Sequence, residues 1–250
     1  DIMKTPVYFI SDIHLKLENS KEEQLRRGHL YNLFDKIIES GGTCFFVGDL
    51  FDFYFEYPDL IPKSYADFYI KAVEMKNKNI DLHLMLGNHD YWVGNFLEKN
   101  LMDKIYYEDA YIEINNKKFI ITHGDGLLSW DHGYRILKFI IRSKFFIRLL
   151  GWLHPNITYR LAKFISRSGY EDSSSMGNNQ KVKEELKLVA KSHFDNKLDY
   201  MVCGHYHLGE MFKINKGKLA VLGDWFHKPS YAIFDGEKFS LKSWIKDEKK

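Results

Sequence analysis

The segment TCFFVGDLFD, residues 43–52, sets an uncharged β-branched and aromatic run directly against a glycine and two aspartates. Five residues of this kind predict a strand buried on both faces, as in a parallel sheet. The change at Gly48 predicts a tight turn that leaves Asp49 and Asp52 just past the carboxyl end of the strand. The same arrangement recurs along the chain. A run over 7–10 leads into Ser11-Asp12-Ile13-His14, and one over 80–86 into Gly87-Asn88-His89-Asp90. Ile121-Thr122 leads into His123-Gly124-Asp125, and a run over 200–203 into Gly204-His205-Tyr206-His207.

Helical spacing fills the gaps between the first three strands. It is seen over 21–38, with Leu25, Leu30, Leu33, Phe34 and Ile37 in phase, and again over 64–75. The β-α-β-α-β order predicts a parallel sheet covered by helices. Further strands are predicted over 104–107, 111–114 and 118–122, followed by a helical region from about 127 to 194. Four short segments near the end (211–214, 219–222, 231–234, 239–244) are separated by turn residues and are expected to run antiparallel. The sum is an α/β sandwich with a core of residues 1–126 and 178–250 and a helical insertion over 127–177.

A chain of 250 residues suits one large domain or a core with an inserted subdomain. The formal charge of +2 gives no global pull toward nucleic acid. Cys44 and Cys203 both sit in strand-like apolar runs, which predicts two buried thiols in a reducing cytosol rather than a disulfide. The first apolar run passes straight into an acidic motif, so no leader is expected there.

If the strands are parallel, their carboxyl ends converge, and the five polar clusters converge with them. Asp12, His14, Asp49, Asn88, His123, His205 and His207 would then supply carboxylate, imidazole and amide groups without a thiolate. That donor set suits manganese, iron or zinc and argues against a sulfur-rich structural site. Seven ligands exceed the needs of one ion but fit two that share a carboxylate, a pairing suited to in-line phosphoryl displacement. Each cluster alone reads as an ordinary turn; five in order at strand ends favour the metal reading.

The set Asp12-X-His14, Gly48-Asp49-X-X-Asp52, Gly87-Asn88-His89-Asp90, His123 and Gly204-His205-X-His207 resembles the calcineurin-like metallophosphoesterase family. The resemblance implies a four-layer α/β/β/α sandwich and two divalent ions, with manganese expected. One ion would be held by Asp12, His14 and His207 and the other by Asn88, His123 and His205, with Asp49 between them. It also implies catalytic roles for Asp49, Asn88 and His89, the last beside the phosphate, with Asp52 orienting a histidine.

The insertion carries the substrate question. In HGYRILKFIIRSKFFIRLLGWLHP, residues 132–155, Arg135, Lys138 and Arg142 form one helical stripe, with Ile136, Leu137 and Ile140 facing away. A break is expected at Ser143, then a segment with Phe145, Leu149 and Trp152 on one side. After Pro155 another basic, apolar piece includes Arg160 and Arg167. No apolar run approaches the ~18 residues of a membrane span. The region reads equally as packing helices or as a surface for anionic lipid, or a lid over an apolar ligand. Its position directly after the His123 cluster favours the lid.

Gly48-Asp49-Leu50-Phe51, Thr122-His123-Gly124-Asp125 continuing to Asp131, and Leu222-Gly223-Asp224-Trp225 resemble the branch of the family that splits UDP-2,3-diacylglucosamine. That resemblance implies a lipid-linked nucleotide as substrate, no nucleic acid partner, and a cytoplasmic protein peripheral on the inner membrane of a bacterium. Asp131 and His205 are carried over as substrate contacts, and Arg160 and Arg167 as phosphate or head-group contacts. One position departs: the best-known members of that branch have arginine where this chain has His89. A phosphodiesterase or nucleotide pyrophosphatase acting on a soluble substrate, and a non-catalytic metal-binding scaffold, stay open. Of the other histidines, His83 is read as a core residue, and His227 as a neighbour of the substrate outside the metal set.

Overall fold

The structure, a computed structural model, describes residues 3–163 and 180–244. The order of elements begins β1 (Val7–Ile10), α1 (Lys21–Ser40), β2 (Thr43–Val47), α2 (Ala66–Asn77), β3 (Asp81–Met85), β4 (Lys104–Tyr106), β5 (Ala110–Ile114) and β6 (Lys117–Thr122). Then come α3 (His132–Ile141), α4 (Lys144–Trp152), α5 (described over 155–163) and α6 (Gln180–Asp195). Five strands end the chain: β7 (Tyr200–Cys203), β8 (Glu210–Ile214), β9 (Gly217–Val221), β10 (Ser230–Phe234) and β11 (Phe239–Ser243). Arg167 and the end of the expected insertion lie outside the described residues.

Two sheets form, in the orders β11-β10-β1-β2-β3-β4 and β5-β6-β7-β9-β8. β1 to β4 are parallel, with α1 and α2 as the crossovers. The late strands form antiparallel pairs, as expected. β8 and β9 are antiparallel, as are β10 and β11, but the two pairs belong to different sheets, and β9 also runs parallel to β7. Turn chemistry identifies each hairpin; which sheet a hairpin joins depends on long-range burial that local pattern does not carry.

The period-two alternation of strand side chains builds the layers. Tyr8, Ile10, Cys44, Phe46, Leu82 and Leu84 point toward α1 and α2. Val7, Phe9, Phe45, Val47 and Met85 point the other way, onto Phe119, Ile121, Val202 and Ala220 of the second sheet. Ile120, Met201, Cys203, Leu219 and Val221 of that sheet face outward against Val182, Leu186 and Ala190 of α6. The chain is therefore a four-layer α/β/β/α sandwich. Both cysteines are free and buried, and His83 packs beside the mutually stacked rings of Phe45 and Tyr106.

Among the described residues, α3 and α4 differ from the other helices in having no buried residue. They break where the stripe predicts, with the Ser143 hydroxyl accepting from the Phe146 amide to start α4. α5 is anchored more firmly: Thr158 is buried against the Tyr57 hydroxyl at 2.7 Å, and Tyr159 donates to the Phe55 carbonyl at 2.6 Å.

Phe119 lies at the middle of the inter-sheet core, its ring 4.9–5.8 Å from those of Tyr200, Phe234, Phe239 and Phe9. Phe119→Ala should cost about 3–5 kcal/mol of unfolding free energy in urea titrations; a loss below about 1 kcal/mol would show that the sheets do not pack through this ring.

Candidate metal centre

The loops at the strand ends hold unusual backbone. Asp12, His14, Asp49, His205 and His207 all have φ between 46° and 64°. Elsewhere among the described residues only asparagines and Lys197 share this left-handed region without being glycine. Such a conformation costs on the order of 1–3 kcal/mol per residue and persists only where surroundings impose it. Here the loops are laced together. The Asp12 and His14 amides donate to the Gly48 and Asp49 carbonyls, at 3.2 and 2.9 Å, and the Trp225 amide donates to the Asp12 carbonyl. The His205 amide donates to the Asp12 carboxylate at 3.0 Å. Two glycines are required by space: a Cβ at Gly87 would overlap the Asp49 carboxylate, and one at Gly48 the His123 ring.

The result brings every sequence-predicted ligand together. Asp12, His14 and His207 place ligand atoms within 4.8 Å of one another, as do Asp49, His123 and His205, and also His14, Asp49 and His89. Asp49 is common to the last two groups, 3.3 Å from His123 and 3.8 Å from His14. The Asn88 side-chain oxygen lies 3.2 Å from His123 Nε2, which sets it beside the second group. Asp12 and Asp49 are buried carboxylates, at 0% and 2% exposure.

Protonation in this cluster fits divalent cations. Burial pushes His14 down to about 3, and burial with the neighbouring His123 pushes His205 down to about 4, so both present neutral imidazoles. Burial would raise the Asp12 carboxyl, but His207 and His123 outweigh it and hold it at about 2. Burial opposes a charge on His123, yet Asp49 raises it to about 10. A proton held this firmly between imidazole and carboxylate marks a place where a cation is electrostatically favoured.

His89 projects into the same space, its ring 4.8 Å from that of His14. Its Nδ1 faces the Asp52 backbone carbonyl at 2.8 Å, and its amide donates to Asp49. Asp52 thus orients His89 through its main-chain carbonyl. Burial disfavours a charge on His89, but Asp49 and the Asp52 carbonyl outweigh it and raise its pKa.

Several supports were not legible in the motifs. Asp90 is fully buried and accepts from the Gly87 and Leu50 amides, which joins two of the loops. Arg26 donates to the Ile13 and His14 carbonyls while Glu23 grips both Arg26 and Arg27. Asp224 accepts from the Phe226 and His227 amides and lies 4.0 Å from His207 Nδ1. Of these, Asp90 and Asp224 stand inside the quoted motifs; the Arg26 pairing has no sequence signature.

The insertion meets the centre in an orientation that the stripe alone leaves open. The basic side of α3 faces inward: Arg135 donates to the Gly126 and Leu128 carbonyls, and Lys138 to Asp125. Arg142 reaches both Asp125, at 3.1 Å, and the Gly87 carbonyl next to Asn88, and stacks over Tyr91. Tyr134 also donates to Asp125. The apolar side faces out, with Phe139 at 80%, Phe145 at 78% and Trp152 at 80% exposure. Asp131 sits at the first turn of α3, on the rim; Arg160 is exposed on α5, and among the described residues no hydrogen bond or ion pair ties it to the cluster.

The profile of the calcineurin-like phosphoesterase family matches residues 5–209. The chain is similar over its length to a protein of Porphyromonas gingivalis (strain ATCC BAA-308 / W83) named UDP-2,3-diacylglucosamine hydrolase, with 29% identity across 96% of this chain and 98% of that one. A protein of the same name from Vibrio atlanticus (strain LGP32) is 26% identical across 96% and 97% of the two chains. Among solved structures, vacuolar protein sorting 29 from Cryptosporidium parvum aligns with a TM-score of 0.48 and 16% identity, across 100% of this chain and 95% of that one. With motifs, sandwich and family match in agreement, the chain belongs to the calcineurin-like phosphoesterase family and is a metal-dependent phosphoester hydrolase.

Proposed function

We propose that this enzyme hydrolyses the pyrophosphate bond of UDP-2,3-diacylglucosamine, releasing UMP and 2,3-diacylglucosamine 1-phosphate. The observation that carries the reading is the orientation of α3: its basic face is locked to the rim of the metal centre and its apolar face is turned outward. A phosphoesterase with a soluble substrate gains nothing from this apolar surface, whereas an acyl-bearing substrate gains a place to lie. The names of the full-length relatives support the same substrate.

In this reading Asp12, His14, His207 and Asp49 would hold one Mn²⁺, and Asn88, His123 and His205, with Asp49, would hold another. Bound ions supply Lewis-acid polarisation of the phosphoryl group and neutralise charge as it develops. His89 keeps its Nδ1 on the Asp52 carbonyl and turns Nε2 toward the reacting phosphate, where it passes a proton to the leaving oxygen. Asp131 and His205 contact the sugar phosphate, and Arg160 and Arg167 the head group. Residues 127–177 act as a lid whose outer face rests on the inner membrane from the cytoplasmic side. Among the described residues no helix is long and apolar enough to cross a membrane, and the exposed apolar face of α3 supports a peripheral contact.

Incubating the protein with Mn²⁺ and UDP-2,3-diacylglucosamine should release UMP. His89→Gln should lower kcat on the order of 10²–10⁴-fold with little change in KM; an unchanged kcat would remove His89 from proton transfer. Asn88→Ala should lose roughly one bound metal per chain by elemental analysis and at least about 10² in rate. Replacing Phe139 and Trp152 together by Asp should cut kcat/KM on the lipid substrate by roughly ten-fold, equivalent to about 1.4 kcal/mol. Equal turnover of the lipid substrate by this variant and the parent would favour a lid with no acyl contact.

A further inference from the structure

A second concavity lies against the metal centre, with walls from α1 and from the loop that follows β9. It has a volume of about 560 Å³ and is lined by Lys16, Arg26 and His29 from one side and Trp225, Phe226 and His227 from the other. That volume falls within the range of small-molecule sites, roughly 300–1,000 Å³. Among the described residues, none in its lining belongs to the insertion.

The cavity shares its wall with the Asp12, His14 and His207 group. The Phe226 ring is 6.2 Å from the His14 ring, and Arg26 donates to the His14 carbonyl at 2.8 Å. Asp224, next to His207, fixes the loop by accepting from the Phe226 and His227 amides at 2.7 Å each. A ligand in the cavity and a phosphate at the metal centre are therefore separated by little more than one aromatic ring.

The chemistry of the walls is dominated by donors and one aromatic face. The Lys16 ammonium and the Arg26 guanidinium lie 4.9 and 4.2 Å from the Phe226 ring centroid. Arg26 is held in place by Glu23 and two main-chain carbonyls, so its position is set in advance. The indole N–H of Trp225, buried in the wall, has no hydrogen-bond partner among the described residues. Two cations, two imidazoles and an indole donor favour a phosphate, and the planar guanidinium and phenyl groups favour a flat base. Glu22, the single carboxylate among the described lining residues, can accept from ribose hydroxyls.

We infer that this cavity binds a nucleoside monophosphate, the UMP half of the substrate. The inference rests on the pyrophosphatase reading above and deepens it: the substrate straddles the centre, with acyl chains on the α3 side and nucleotide on the α1 side. An in-line displacement at the nucleotide phosphorus sets the attacking oxygen opposite the leaving lipid phosphate, while the nucleoside stays bonded to the attacked phosphorus and becomes part of UMP.

Calorimetric titration of UMP into the Mn²⁺-loaded protein tests the site, with uridine and inorganic phosphate as comparison ligands. Wild type should bind UMP at one site at least ten-fold more tightly than either fragment. Lys16→Ala and Phe226→Ala should each weaken UMP by roughly ten-fold, with thermal unfolding unchanged. The Phe139→Asp, Trp152→Asp double variant should bind UMP as wild type does. UMP binding no tighter than phosphate, or equal in wild type and both pocket variants, would overturn the site. Loss of UMP binding in the lid variant instead would place the nucleotide under the insertion. Failure of the substrate assignment looks different: no turnover of the lipid nucleotide by wild type, while UMP binding and its loss in the pocket variants persist.

Discussion

The burial of Asp49 among imidazoles is the constraint on which the rest of the molecule depends. An ionised carboxylate in a low-dielectric interior is costly unless partnered on every side. Asp49 meets His14 and His123 through its carboxylate, and the His89 amide as well. To reach them it must stand at the end of β2 in a left-handed conformation, with the neighbouring position 87 lacking a Cβ. The sandwich supplies those conditions. Two sheets with dense aromatic packing between them give a rigid base, and parallel strands deliver their ends to one edge. Main-chain hydrogen bonds between the loops then offset the strain. The fold thus concentrates negative charge where cations can answer it.

Asp125 extends the same logic to the insertion. It follows His123 by two residues, is largely buried, and gathers Tyr134, Lys138 and Arg142. Burial would raise its pKa, but His123, Arg142 and Lys138 outweigh that and lower it. The carboxylate therefore stays charged and holds the basic stripe inward. With that stripe occupied, the apolar side of α3 has nowhere to go except outward. Arg142 also touches the Gly87 carbonyl, so a shift of α3 bears on the loop that carries Asn88 and His89. The lid and the chemistry are joined through one charged residue and one guanidinium.

Much of this was readable from sequence because the information is local. A buried strand followed at once by glycine and a ligand is contiguous, and the convergence of five such ends follows from parallel order. The helix break at Ser143 was equally local. What escaped was relational. The α3 stripe was visible, but its direction was set by Asp125, and the usual expectation that apolar faces turn inward gives the wrong answer here. The Glu23, Arg26 and Arg27 grip binds loop carbonyls at residues 13, 14 and 16, and Arg27 reaches Asp67, a separation that no periodicity reports. The sheet membership of β8 to β11 and the use of the Asp52 main chain also depend on contacts distant in sequence.

Stability is distributed unevenly around the centre. On the α1 side, charged groups are tied down by buried pairs and main-chain carbonyls, so donors there are fixed before a ligand arrives. On the α3 side, α3 and α4 have no buried residue, and their attachment is made through hydrogen bonds at one edge. Elements with few buried contacts open at low free-energy cost compared with the core. A head group of fixed shape is best met by a preorganised wall, and acyl chains of variable shape by helices that adjust. The metal centre stands at the boundary between the two.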